Sequence, residues 1–209
     1  METKIVNIDK ENPDKEKILE AALLLKEGKL VVFPTETVYG IAVKADNPEA
    51  IKRLFIAKKR PLDKPITVLI SDKKQVYELA REVPETAKKL MDKFWPGPLT
   101  IVLRKKDSVN DVLTAGSNTI GIRMPDHKVA LLLIKEAGII AAPSANISGN
   151  NPAVSAEEAL KELDGLVDMI IDSGKTDIGV SSTVVDLTKE KLVILREGSI
   201  GRTTLLNIP

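Results

Sequence analysis

The chain has 209 residues, enough for one large domain or two small ones with a sizeable hydrophobic core. Its 31 Lys and Arg residues balance 30 Asp and Glu residues, so no global field attracts polyanions or membranes, and any anion site must be local. With no cysteine and one histidine, His127, the chain lacks disulfides, cysteine nucleophiles, thiolate zinc sites and every motif that needs two imidazoles.

Helix and strand patterns alternate along the chain. Asn12 and Pro13 predict the start of a first helix, and Asn47 with Pro48 predicts a second helix that ends near Lys59. Short apolar, β-branched runs predict strands between the helices. The predicted strands are 30–33, 39–44, 66–70, 99–103, 119–123, 139–142, 169–171, 183–186 and 192–195, and further helices are predicted over 72–80, 84–94, 128–137 and 156–163.

This alternation predicts an α/β fold. We expect a twisted sheet of mixed, mostly antiparallel strands, flanked by helices and with a ligand cleft at the strand ends. No linker or repeat divides the chain, so residues 1–209 are predicted to form one domain. The longest apolar run, 129–134, is far shorter than the ~18 residues that span a bilayer, and residues 1–8 lack the apolar core of a secretory signal. We therefore expect a cytoplasmic protein without a membrane segment.

Two local patterns resemble known motifs and are interpreted otherwise. Gly174–Thr176 looks like the end of a phosphate-binding P-loop, but the position that needs the first glycine is occupied by Met169, which indicates an ordinary turn. His127 stands at a predicted helix start without a second imidazole, which is typical of a surface or capping histidine. The dinucleotide pattern GxGxxG is absent.

The strongest local charge lies in residues 52–64, where only Asp63 opposes six cations. They are Lys52, Arg53, Lys58, Lys59, Arg60 and Lys64. Such a run alone indicates a solvated helix face as readily as a binding site. Lys58 and Arg60, however, leave the helix just before Pro61, and Lys64 enters the next strand. Cations on stiff backbone beside a sheet suit phosphate oxygens.

Short polar side chains follow or precede three of the predicted strands. They are Thr35 and Thr37, Ser144 and Asn146, and Ser181 to Thr183. Each group alone is typical of a turn or a helix cap. Arg123 and Arg196 close two further strands, where an isolated arginine is more often part of a surface ion pair. Because ligands of α/β sheets gather at strand ends, the set together indicates a binding cleft.

Seven segments also occur in a characteristic order. They are PTETVYG (34–40), KKRPLDKP (58–65), WPGPLT (95–100), IGIRMP (120–125), APSAN (142–146), SST (181–183) and LREG (195–198). From about residue 12 to residue 201 the chain resembles the YrdC-type threonylcarbamoyl-adenylate synthases. The resemblance implies that the protein joins L-threonine, bicarbonate or CO2, and ATP into threonylcarbamoyl-AMP and pyrophosphate. The product would feed threonylcarbamoyladenosine formation in tRNA through downstream transferase proteins.

The resemblance also implies roles for individual residues. The implied contacts of L-threonine are Thr37, Arg123 and Ser182, with Arg123 facing the carboxylate. The implied ATP-binding residues are Arg60, Lys64, Thr119, Ser144, Asn146 and Arg196. Lys58 and Arg60 are the implied catalytic residues, and Thr35 shapes the loop. Mg2+ is expected on the ATP phosphates, with no protein residue predicted as its ligand.

This chemistry fits the residue composition. The threonine amine can add to CO2 without a protein nucleophile, and a carbamate oxygen can then attack the α-phosphate. Catalysis would consist of positioning and charge stabilisation. Neither cysteine nor a second histidine is required.

Two departures from the family pattern stand out, and two alternatives remain open. Leu69 occupies a position where many relatives have histidine, and residues 148–153 differ from their SGxxPPT. Longer relatives carry a second domain, so the chain is expected to be the short form.

The first alternative function is a non-catalytic RNA-binding module that uses the basic segment. The near-zero net charge and the 3% aromatic residues argue against this module, although weak RNA binding is kept as an expectation. A related carbamoyl-transfer domain of hydrogenase maturation would use a different acceptor.

Overall fold

The computed structural model describes residues 2–206, and its strands form one mixed sheet. The strands are β1 (Lys4–Asn7), β2 (Val31–Phe33), β3 (Gly40–Lys44), β4 (Val68–Leu69), β5 (Leu99–Arg104), β6 (Thr119–Arg123), β7 (Ile140–Ala141), β8 (Met169–Asp172), β9 (Thr183–Asp186) and β10 (Val193–Arg196). The helices are α1 (Lys15–Lys26), α2 (Pro48–Ala57), α3 (Val76–Leu79), α4 (Glu85–Phe94), α5 (Asp111–Thr114), α6 (Lys128–Ala137), α7 (Ala156–Leu163) and α8 (Arg202–Leu206), with a 3-10 turn at Lys73–Gln75.

The strand order is β1-β8-β2-β3-β7-β4-β6-β5-β9-β10. The pairs β1/β8, β8/β2, β4/β6 and β5/β9 are parallel, and the other neighbours are antiparallel. The predicted fold class, a mixed sheet flanked by helices, is therefore confirmed. Among residues 2–206, no helix combines the length and apolar composition that crossing a bilayer requires.

Apolar side chains pack on both faces of the sheet, following the two-residue period of the strands. One core lies under α2, α4 and α7 and receives side chains from nearly every strand, such as Val32, Ile101 and Ile122. The second core lies under α1 and α6 and receives Val31 and Phe33 from β2, together with residues from β3, β4, β7 and β8. The second core ends at Leu69 of β4, and among residues 2–206 no helix covers the same face of the sheet beyond β4.

That uncovered part is the open half of the sheet face, which comprises β6, β5 and β9. Here Arg123 pairs in register with Leu69, so it points to the face that α1 and α6 cover further along the sheet. Thr119 and Gly121 share that face, as do Val102 of β5, which pairs with Gly121, and Val184 of β9. Apart from the buried Arg123, these residues are half-exposed, whereas Ile120 and Ile122 on the other face are buried.

The first residues of α1 and α2 show how side chains near a helix start determine where the helix begins. Asn47 caps α2 as predicted, because its side chain accepts a hydrogen bond from Ala50 N at 3.0 Å. The prediction that Asn12 caps the first helix is wrong. Asp14 caps α1 and accepts from Glu16 N, whereas the Asn12 N–H bonds to the Asp9 carboxylate in a preceding turn.

Several other elements differ from the predictions. The predicted strands 66–70 and 139–142 shorten to the two-residue strands β4 and β7. Strand β1 and the short helices α5 and α8 were not predicted. β1 becomes a strand because its backbone pairs with β8, a partner distant in the sequence.

Candidate active site

A cleft lies at the edge of the part of the sheet face that α1 and α6 cover. It is bounded by the turn between β2 and β3, the end of β6, the loop after β7 and the segment that leads into β9. Six of the predicted site residues line it: Thr37, Arg60, Arg123, Ser144, Ser182 and Arg196. The other four predicted site residues, Lys58, Lys64, Thr119 and Asn146, do not line the cleft.

The turn between β2 and β3 forms one wall of the cleft. Every residue from 31 to 40 is buried, although this stretch includes two threonines and a glutamate. Thr35 Oγ1 lies 2.9 Å from Thr37 Oγ1, donates to Val38 O at 2.6 Å and accepts from Thr37 N at 3.2 Å. Thr35 therefore fixes the turn internally, which holds the Thr37 side chain against the cleft.

Arg123 enters the cleft from the end of β6. Its Nε donates to Gly97 O at 3.1 Å, and its Nη2 lies 2.7 Å from Glu36 Oε1. The side chains of Arg123 and Glu36 are each only 7% exposed. Residues 95–98, which supply Gly97, form a corner with a cis bond between Trp95 and Pro96. The Arg123 guanidinium is thus fixed by tertiary contacts on two sides.

Arg196 lies at the other side of the cleft, at the end of β10. Its Nε and Nη2 donate to Ser182 O at 3.1 and 2.9 Å, and Nη2 also contacts Ser182 Oγ at 3.1 Å. Ser182 Oγ in turn lies 2.9 Å from Thr100 Oγ1. Partial burial and the positive charge of Arg123 lower the pKa of Arg196, but an arginine stays charged at neutral pH. Two like charges in one cleft favour an anionic ligand.

Arg60 supplies the third guanidinium, from the segment after α2. Its Nε donates to Lys64 O at 3.2 Å and its Nη2 to Pro65 O at 2.8 Å. Burial lowers the pKa of Arg60, and the charge of Asp63 opposes the shift. Lys64 itself is exposed and is not among the residues that line the cleft.

Lys58 lies beneath the cleft instead of lining it. It is 1% exposed, and its Nζ donates to Ser144 O and Asn146 O, each at 2.5 Å. Burial, together with the charge of Arg60, lowers the pKa of Lys58 to about 7, and Glu162 opposes this shift. Lys58 therefore ties the end of α2 to the loop after β7, from which Ser144 reaches the cleft.

Asn146 is part of the same buried arrangement. Its Oδ1 accepts from Ser144 Oγ at 2.5 Å, and its Nδ2 donates to Ile147 O and Asn150 O. The side chain thus holds the loop and the Ser144 hydroxyl, and it does not line the cleft.

Thr119 lies at the opposite end of β6 from Arg123. Arg123 is four residues further along the strand, or about 13 Å away, and both side chains point to the open half of the sheet face. The Thr119 hydroxyl lies 2.8 Å from Ser117 Oγ. Thr119 is therefore outside the cleft, but on the surface that continues from it.

The two patterns interpreted as non-functional lie outside the cleft. Gly174–Thr176 follows β8 as a turn in which Gly174 N donates to Asp172 Oδ1, and no helix follows, so the interpretation as a turn is confirmed. His127 occupies the position before α6 without making a capping hydrogen bond, and burial lowers its pKa.

The cleft lining fits phosphate oxygens and carboxylates better than a metal ion. Guanidinium and hydroxyl groups line it, and no carboxylate side chain does. Within the described part of the chain, no three His, Cys, Asp or Glu residues are grouped closely enough to hold a metal. Because Mg2+ is usually bound through one or two carboxylates together with substrate phosphates, the residues present do not form a Mg2+ site.

Fold and cleft together define an α/β protein with an arginine-rich anion site on a half-covered mixed sheet. The chain belongs to the Sua5/YciO/YrdC family, whose model is described as telomere recombination and matches residues 23–198. The predicted family resemblance is therefore confirmed.

Three relatives show how far the similarity extends. The chain is 48% identical over 199 residues to threonylcarbamoyl-AMP synthase of Pyrococcus abyssi, covering 95% of this chain but 58% of that protein. It is 37% identical over 206 residues to a putative threonylcarbamoyl-AMP synthase of Methanocaldococcus jannaschii, covering 96% of this chain and 95% of that protein. The solved structure of P. abyssi Sua5 complexed with L-threonine has a TM-score of 0.95 at 45% identity, covering 99% of this chain and 62% of that one.

The chain thus spans little more than half the length of the P. abyssi relative and nearly all of the M. jannaschii one. The prediction that residues 1–209 form one domain stays a prediction.

Proposed function

We propose that the protein is a threonylcarbamoyl-AMP synthase that uses L-threonine, bicarbonate or CO2, and ATP. The observation that carries this proposal is the convergence of Arg60, Arg123 and Arg196 with several hydroxyl side chains in a cleft that no carboxylate lines. Such a lining suits two anionic groups, a carboxylate and a polyphosphate. The names of the P. abyssi and M. jannaschii relatives support the same activity.

Arg123 is the proposed partner of the L-threonine carboxylate. Its guanidinium is fixed before any ligand binds, and Thr37 and Ser182 lie on the same cleft with hydroxyls that can bond the remaining polar groups of an amino acid. The structural relative that was solved with L-threonine supports L-threonine as a substrate.

Arg60 and Arg196 are the proposed partners of the ATP phosphates, with Ser144 beside them. The open half of the sheet face runs from Arg123 past Gly121 to Thr119, and this surface gives the rest of the nucleotide a place to lie. Lys64 is proposed to contribute at the exposed rim. Lys58 and Asn146 are proposed to act through the loop whose carbonyl and hydroxyl groups they hold.

The proposed reaction needs no protein nucleophile. The amine of L-threonine forms a bond to the carbon of CO2 and loses a proton, which yields a carbamate. A carbamate oxygen then bonds to the α-phosphorus of ATP while the bond to the pyrophosphate group breaks. The arginines stabilise the charge that develops on the transferred and departing phosphates, and the cleft supplies orientation. Mg2+ is proposed to enter bound to ATP, since the lining provides no acidic ligand.

Pyrophosphate release tests the proposal. We expect release that requires ATP, bicarbonate and L-threonine together, and product that a tRNA threonylcarbamoyl transferase can consume. Arg60→Ala and Arg196→Ala should each lower turnover about 100-fold, in line with the loss of a charged donor in the transition state. Lys52→Ala is the matched control, because Lys52 lies in the same basic segment but pairs with Glu49 in solvent.

Pyrophosphate release that persists without L-threonine would contradict the proposal. Salt-dependent RNA binding without any release would instead favour the RNA-binding alternative.

A further inference from the structure

Glu36 is a buried acid within the wall of the cleft. It stands between Thr35 and Thr37, which both line the cleft, whereas Glu36 itself does not. Its side chain is 7% exposed. Carboxylates are almost never buried this deeply without a partner, because removing the charge from water is costly.

The partner of Glu36 is the guanidinium of Arg123. Oε1 lies 2.7 Å from Nη2, which makes a buried ion pair. The angles at this contact fall short of a hydrogen bond, so both carboxylate oxygens and Nη2 have no hydrogen-bond partner among residues 2–206. The attraction between the two side chains is therefore mainly Coulombic, and at such burial it is weakly screened.

A second contact holds Arg123 from another side. Its Nε donates to Gly97 O, and Gly97 N donates to Met124 O at 2.8 Å. No larger residue fits at Gly97 without a shift of the backbone, since a Cβ at this position would lie 2.5 Å from Phe94 O. The hydrogen bond at Nε and the ion pair at Nη2 hold the guanidinium at two of its nitrogens, which limits how far its planar fork can turn before it meets a carboxylate.

Glu36 also balances charge in the cleft. Arg60, Arg123 and Arg196 all line it, and Arg123 is close enough to Arg196 to disfavour its charge. Glu36 is the carboxylate that contacts Arg123 in the described structure. Its negative charge therefore offsets the repulsion that would otherwise push the Arg123 side chain away from Arg196.

We propose that Glu36 is a positioning residue that holds the Arg123 guanidinium in the orientation that receives the carboxylate of L-threonine. The inference rests on the proposed function, in which Arg123 binds that carboxylate. Glu36 acts through Arg123 and makes no contact of its own with the substrate. Its loss should therefore weaken L-threonine binding far more than ATP binding.

Calorimetric binding to the purified full chain tests this inference. Glu36→Gln keeps the size of the side chain and removes its charge. We expect it to weaken L-threonine binding about tenfold or more, while ATP binding changes less than about twofold. In an Arg123→Lys background, which lacks the planar fork, the same substitution should have little further effect on L-threonine.

Folding and the proposed function are checked in the same experiment. Thermal unfolding shows whether Glu36→Gln is folded. If it is not, Glu36→Asp, which keeps the charge, takes its place, and we expect weaker binding of L-threonine with unchanged binding of ATP. Equal losses for both ligands, or an undiminished effect in the Arg123→Lys background, would overturn the inference. A wild-type protein that binds no L-threonine would overturn the proposed function, and this inference with it.

Discussion

The two halves of one sheet face differ in what covers them. From β8 to β4 the face lies under α1 and α6, and its side chains are apolar and fully buried. Beyond β4 no helix in the described part of the chain covers this face, which presents Thr119, Gly121 and Arg123. A sheet needs apolar side chains only where another layer packs on it. The half without a second layer is free to carry the polar groups that bind ligands.

The largest expected effect is a loss of stability when a side chain is removed from the half of the sheet face that α1 and α6 cover. Leu133→Ala removes a fully buried side chain of α6 from the core under α1 and α6, and should lower the free energy of unfolding by about 3 kcal/mol. Urea unfolding measures it. Leu132→Ala on the same helix is the control, because Leu132 is 37% exposed and should change stability by less than about 1 kcal/mol. Equal effects of the two substitutions would show that α6 does not pack as described.

A smaller effect is expected when the open half is made to resemble the covered one. Gly121→Val adds an apolar side chain to the face on which we propose ATP lies. We expect the ATP KM to rise about thirtyfold, or about 2 kcal/mol, with little loss of fold because β-branched residues suit strands. The added Cβ would lie 3.3 Å from Thr100 Cγ2, so urea unfolding should accompany the kinetics. An unchanged ATP KM would place the nucleotide elsewhere.

The smallest effect concerns Lys58, which lies beneath the cleft at the edge of the open half. Burial lowers its pKa to about 7 in the folded protein, whereas the unfolded chain keeps a value near 10.5. Between these pH values the unfolded chain binds a proton that the folded protein lacks, so the free energy of unfolding rises with pH from about pH 7 upward. Below pH 7 the folded protein carries the buried charge, and the full cost of burying it lowers stability.

Comparison with Lys58→Met isolates this contribution. The unfolding free energy of the wild type minus that of the variant should rise by about 1 kcal/mol between pH 6.5 and 8, because over this range the folded protein loses the Lys58 proton that the unfolded chain keeps. If the unfolding free energies of the wild type and Lys58→Met change in parallel with pH, the lowered pKa of Lys58 is contradicted.

Local sequence predicted the elements well where local forces decide them. The cap at Asn47 and the bounds of α6 and α7 follow from capping side chains and periodic apolar residues within one turn or two. Strands β4 and β7 came out shorter than predicted, and β1 was missed, because a strand exists only where its backbone finds a partner. Those partners lie far away in the sequence.

The candidate site was predicted in part. Ordered motifs named six residues that the fold brings to one cleft, although their individual roles stay predictions. Residue type alone could not show that the Lys58 ammonium turns inward to two carbonyls, or that Thr119 lies a strand's length from Arg123. Glu36 was missed as a site residue because its signal, an acid between two threonines after a buried strand, does not reveal its partner.

The sequence by itself determined the family and the fold class and predicted the kind of chemistry, because these depend on residue types, their order and their local spacing. Only the tertiary structure decided which face of the sheet is left open, which cations reach the cleft and which acid holds Arg123. Those outcomes depend on packing and pairing between distant segments, where burial decides whether a charge meets solvent, a carbonyl or an opposite charge.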